Sequence, residues 1–121
     1  MIEVRGYHHI NLTVDDLEKA EGFYRGILGL EKISERPIPF PGFWLKVGSS
    51  ELHISPKPGG PPKAWGHIAI HVANYDEVVA TLRNAGIDYE DWPTVRGQKR
   101  GGCFDPAGNQ IEILDSKPPT A

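Results

Sequence analysis

Cysteine is nearly absent: Cys103 is the single one in 121 residues. No internal disulfide can staple the chain, which fits a reducing compartment. Long apolar runs are missing too, since none approaches the roughly 20 residues of a membrane-spanning helix. Positive charge is in deficit, with 13 Lys and Arg against 16 Asp and Glu and a net charge of -3. Without a basic cluster the chain offers no footprint for nucleic acid. The opening MIEVRGYHHI lacks the basic start and apolar core of a secretory leader, so the expected location is cytoplasmic. What is present, 39% hydrophobic and 24% charged residues, is the composition of one globular domain spanning 1–121 with a real core.

The chain repeats itself. HHINLTVDDLEKAEGFYRGILGLE is echoed 58 residues later by GHIAIHVANYDEVVATLRNAGIDYE. In the first copy Ile10, Leu12 and Val14 alternate with His9, Asn11 and Thr13, the period of a strand with one apolar face. Asp15 and Glu18 then have the spacing of a capping box. Ala20, Phe23, Tyr24, Ile27 and Leu28 recur at helical spacing up to Gly29. In the second copy Ile68, Ile70 and Val72 alternate with His67, Ala69 and His71. Asn74 and Glu77 form the cap, Val78, Val79, Leu82 and Ala85 the stripe, and Gly86 the stop, with a helix one residue shorter.

Two or three strands follow each helix. GFWLKVGSSELHIS turns at Gly48-Ser49-Ser50, and GGCFDPAGNQIEIL turns at Asp105 to Asn109. The connector SPKPGGPPKAW holds four prolines and two glycines in eleven residues and cannot be a regular element. The expected architecture is α+β, two paired βαβββ modules forming an open half-barrel cleft. Module one covers about 5–57, the linker about 56–65 and module two about 65–115, with KPPTA as a frayed tail.

Strand phase selects the candidate site. Leu52 and Ile54 share the core phase, which leaves Glu51, His53 and Ser55 on the other face. Ile111 and Ile113 likewise leave Gln110, Glu112 and Leu114 there. His9, His53, His67 and Glu112 therefore all point away from the helix-covered face. The repeat pairs them, His9 with His67 at an offset of 58 and His53 with Glu112 at 59. If the copies pack about a pseudo-twofold axis, these faces converge. Three imidazoles and a carboxylate suit a borderline divalent ion with positions left open. A lone strand histidine is more often a surface residue than a ligand; four in repeat-related positions carry more weight. His8 lies on the apolar phase and reads as structural. His71 shares a face with His67 but lies about 13 Å along the strand, too far for the same ion, and instead lines the cavity. Trp44 and Lys46 wall the cleft. Arg96, Lys99 and Arg100, in a loop before the last strands, offer charge to an anionic group, and Cys103 reads as a buried, inert thiol.

These segments, with ELHIS, GHIAIHV and DPAGNQIEIL, resemble the hallmark segments of the vicinal oxygen chelate superfamily, which contains glyoxalase I, extradiol dioxygenases, fosfomycin-resistance thiol transferases and bleomycin-binding proteins. The resemblance covers nearly the whole chain. It implies metal ligands at His9, His67 and Glu112, with His53 in a slot that varies within the superfamily, and a divalent ion that is Zn, Ni, Co, Mn or Fe. The implied activity is lyase, isomerase or dioxygenase chemistry on a small molecule with vicinal oxygens, in a homodimer. The alternative is a drug- or metabolite-binding protein without turnover. Glyoxalase I carries a carboxylate where this chain has His53, so Glu112 is the expected catalytic base and Glu51 its possible substitute.

Overall fold

The computed structural model describes residues 1, 3, 5–61 and 66–116. The chain divides into two compact units, 1–61 and 62–121, and the boundary falls inside the proline-rich connector. Residues 62–65 of that connector and the tail KPPTA lie outside the described residues.

The first unit runs β1 (His9–Val14), α1 (Leu17–Glu21), a π-helical turn (Gly22–Ile27), β2 (Phe43–Val47) and β3 (Ser50–Pro56). Its sheet has the order β1-β3-β2, with β1 parallel and β2 antiparallel to β3. The second unit runs β4 (Ile68–Val72), α2 (Tyr75–Asn84), β5 (Glu90–Val95), β6 (Gln98–Phe104) and β7 (Gln110–Asp115), in the order β4-β7-β6-β5. Here β4 is parallel to β7, and the other pairings are antiparallel. The fold is thus α+β with two mixed sheets, as the pattern of elements predicts.

Register reproduces the duplication. Ile10 pairs with Leu52, and Ile68 with Ile111, so the parallel partners are displaced by 58 and 59 residues. The N-caps Asp16 and Asn74 are also 58 apart, but the positive-φ glycines that stop the helices, Gly29 and Gly86, are only 57 apart. The first helix holds one residue more, and the π turn absorbs it: Leu28 N–H donates to the Phe23 carbonyl, five residues back, at 2.9 Å.

Three expectations need correction. The fourth strand of module one is reduced to an isolated bridge, Lys32 to Leu45, supported by bonds from Ile33 N to Trp44 O and from Lys46 N to Glu31 O. Prolines at 37, 39 and 41 follow and cannot extend a hydrogen-bonded edge. The N-cap of α1 is Asp16, not Asp15; its carboxylate accepts from Lys19 N at 3.0 Å, which leaves Glu18 too early in the helix to close a capping box. At α2 the Asn74 side chain makes no backbone cap and donates instead to Glu77 Oε2 at 2.8 Å.

The cores follow the phases. Val14, Phe43, Leu45, Leu52 and Ile54 are buried with Ala20, Phe23 and Tyr24 of the first helical segment. In the second unit Cys103, Ile111 and Ile113 are buried, as are Val79 and Leu82 of α2. Ile10, at the open end of β1, and Ala85, at the end of α2, are exceptions and are exposed. The Asp105–Asn109 turn closes on the buried Asp105 carboxylate, which accepts from Ala107 N, Asn109 N and Asn109 Nδ2 at 2.8–2.9 Å. Each sheet therefore commits its apolar face to the core and leaves the alternate face to polar side chains.

Candidate functional site

On the polar face of the first unit four side chains stack in a column. Trp44 lies opposite His53 across the β2–β3 pairing, and their rings are 4.4 Å apart and 12° from parallel. His9, opposite Glu51 on the parallel neighbour, covers the other face of His53 at 4.0 Å and 11°. Arg36 caps the outer face of Trp44 at 5.6 Å. Its guanidinium also bonds the carbonyls of Phe40 and Pro41, and its Nε is buried without a partner. His8 stands edge-on to His9, with the two Nδ1 atoms 2.9 Å apart. Glu51 Oε1 is 2.8 Å from His53 Nε2. That bond holds the Glu51 carboxyl below its usual range, and the nearby imidazoles His8 and His9 add to the effect. Lys46, on the same face, turns to Glu31 at 3.5 Å.

The second unit arranges its polar face differently. His67, one residue before β4, places Nε2 3.1 Å from Glu112 Oε1 on β7. Arg100 of β6 brings Nη1 to 3.9 Å from the same oxygen, donates from Nε to the Pro93 carbonyl at 3.0 Å, and lies 5.3 Å above the Trp92 ring. Trp92 also meets His67 edge-on at 6.5 Å. Opposite Glu112 stands Gly102, where a Cβ would sit 2.4 Å from Trp92 Cζ2; only glycine admits the indole there. His71 is exposed on β4, across from Leu114. Lys99 and Arg100 lie in a strand rather than the expected loop. Lys99 is paired with Asp76 at 3.2 Å, while Arg96 occupies the turn with φ of 56°. Cys103 is buried, and that burial pushes its thiol up to about 11.

Each unit thus brings two of the four predicted residues together, His9 with His53 and His67 with Glu112, rather than the repeat-related pairs His9 with His67 and His53 with Glu112. Among the described residues no group of three or more His, Cys, Asp or Glu stands arranged to hold an ion. Within the second unit, the donor chemistry of His67 and Glu112 nonetheless fits a borderline divalent ion. The 3.1 Å between His67 Nε2 and Glu112 Oε1 is the spacing of two ligands on one metal, given metal–donor bonds of about 2.1 Å. The first pair fits less well. An ion bound by imidazole lies in the ring plane, and planes stacked at 4.0 Å and 11° do not meet near their nitrogens.

Trp92 and Arg36 were not singled out by phase, because each reaches the site from a segment whose pairing is irregular. Register shifts between Trp92 and Val95, where Pro93 interrupts the ladder, and Arg36 lies outside any strand.

A family model described as the Glyoxalase/Bleomycin resistance protein/Dioxygenase superfamily matches residues 6–113. The chain is 28% identical over 123 residues to the lactoylglutathione lyase of Salmonella typhimurium, covering 90% of this chain and 91% of that protein. It is 30% identical over 125 residues to the uncharacterised protein YwkD of Bacillus subtilis, covering 93% and 98%. A solved structure of a Bacillus anthracis protein described as of a glyoxalase family superposes with a TM-score of 0.87 at 28% identity, over 97% of this chain and 99% of that one.

Proposed function

The chain belongs to the Glyoxalase/Bleomycin resistance protein/Dioxygenase superfamily, and on that premise we propose that it is a divalent-metal-dependent enzyme acting on a small molecule with vicinal oxygens. The observation that carries this reading is the His67–Glu112 pair, a nitrogen and a carboxylate oxygen 3.1 Å apart beside a cation and an indole. In this reading His9, His67 and Glu112 would hold the ion. A bound ion supplies Lewis-acid stabilisation of negative charge that develops on substrate oxygens. In this reading Arg100 would meet an anionic substituent, Trp44, Lys46 and His71 would contact the rest of the substrate, and Glu112, with Glu51 as substitute, would accept the proton. Likeness to a lactoylglutathione lyase supports lyase or isomerase chemistry ahead of dioxygenation. We propose a homodimer as the working form, checked by light scattering at micromolar concentration; a monomeric mass contradicts it.

A second reading is capture of a drug or metabolite without turnover. Turnover separates the two. With the hemithioacetal of methylglyoxal and glutathione or a related carbon acid, added Ni, Co, Zn or Mn should support catalysis that chelator abolishes. Glu112→Ala should lower kcat/KM by about 100-fold or more. Ligand binding that is unchanged by chelator, with no turnover of any vicinal-oxygen substrate, overturns the enzyme reading.

A further inference from the structure

His9 is held by two neighbours that act on different coordinates of its ring. His8 meets it edge-on at 86°, Nδ1 to Nδ1 at 2.9 Å. Two ring nitrogens at that distance form a hydrogen bond only when one carries the proton and the other does not. The backbone pins His8, because Glu51 N donates to its carbonyl at 3.0 Å. His53 faces His9 in parallel and is itself fixed, with Trp44 on its far face and Glu51 on Nε2.

We infer that His8 and His53 are positioning residues for His9: His8 accepts the His9 Nδ1 proton and so leaves Nε2 bare, while His53 fixes the plane in which that lone pair points. Ligating histidines commonly give their second nitrogen to such an outer partner, which fixes the tautomer. The ligand role of His9, and with it the direction of the bond to His8, rests on the function proposed above; the ring orientation does not.

The test uses the full chain, labelled with 15N-histidine and stripped with chelator, at a pH well above the ordinary histidine range. Long-range proton–nitrogen correlation should show His9 as the Nδ1–H tautomer in the wild type and a shift toward Nε2–H in His8→Ala. In Zn titrations, His8→Ala and His53→Ala should each weaken binding by about 10- to 100-fold. His53→Phe, which keeps a stacked ring but has no nitrogen, should restore most of the loss. An Nε2–H tautomer for wild-type His9 overturns the inference, as does His53→Phe binding as weakly as His53→Ala, because that result makes a His53 nitrogen a ligand. A wild type that binds no ion defeats the metal reading alone, and the tautomer then decides this one.

Discussion

The two units share the order and register of three strands, yet they fill equivalent positions with opposite volumes. Phe43 pairs with Ile54 in one, and Gly101 pairs with Ile113 in the other. Trp44 stands opposite His53 where Gly102 stands opposite Glu112. The first unit builds its polar face from within, stacking its own β2 indole on the central histidine. The second vacates β6 so that Trp92 of β5 can lie across it beside a carboxylate and a guanidinium. The same scaffold thus encloses an imidazole in one copy and sets a histidine against a carboxylate in the other.

The largest expected effect comes from removing the bulk that only the first unit has. Phe43→Ala should cost about 3–5 kcal/mol in urea unfolding, as a buried ring is lost to a cavity. The reverse change at the equivalent position should cost less, about 1–3 kcal/mol for Gly101→Ala, by overpacking. Its Cβ would fall 2.4 Å from both the Glu90 carbonyl and the Tyr89 hydroxyl, which bonds Tyr75. If Gly101→Ala is neutral, the close approach that distinguishes the second sheet is not real.

Cys103 occupies the place that Leu45 holds in the first unit, and its thiol should behave as part of the core. Burial raises it from 9.0 to about 11, so the fold favours the neutral form. Its contribution to stability is present below pH 9.0 and is lost as pH rises toward about 11, because the unfolded chain ionises first. Disulfide-exchange reagents at pH 8 should therefore modify it only as fast as the protein unfolds. The smallest effect concerns the helices. Gly26 lies in the π turn with open space around its Cα, and α2 contains no glycine. Gly26→Ala should raise stability by about 0.4–1 kcal/mol, read as an upward shift in urea midpoint.

Much of this plan was legible because duplication makes phase self-checking. The 58- and 59-residue offsets of the histidines and Glu112 reappear as strand register, and the one-residue difference in helix length as a π turn. What stayed hidden depended on choices the pattern leaves degenerate or on pairing over distance. Two adjacent aspartates carry the same capping signal, and only the turn geometry selects Asp16. Lys99 and Arg100 carry loop-like composition but are drawn into β6 by pairing with β7 and β5. The His53 stack was illegible for a different reason. Alternation places a side chain on a face, and the parallel ring of His9 then decides what its nitrogens can reach.

The central claim is that the second unit's His67–Glu112 pair holds a metal. Elemental analysis of protein purified without a histidine tag tests it most directly. The account predicts about one divalent ion per chain in the wild type and a small fraction of that in Glu112→Ala and His67→Ala. Full occupancy in either variant, or a wild type that stays empty after incubation with Zn, Ni, Co, Mn and Fe in turn, contradicts it.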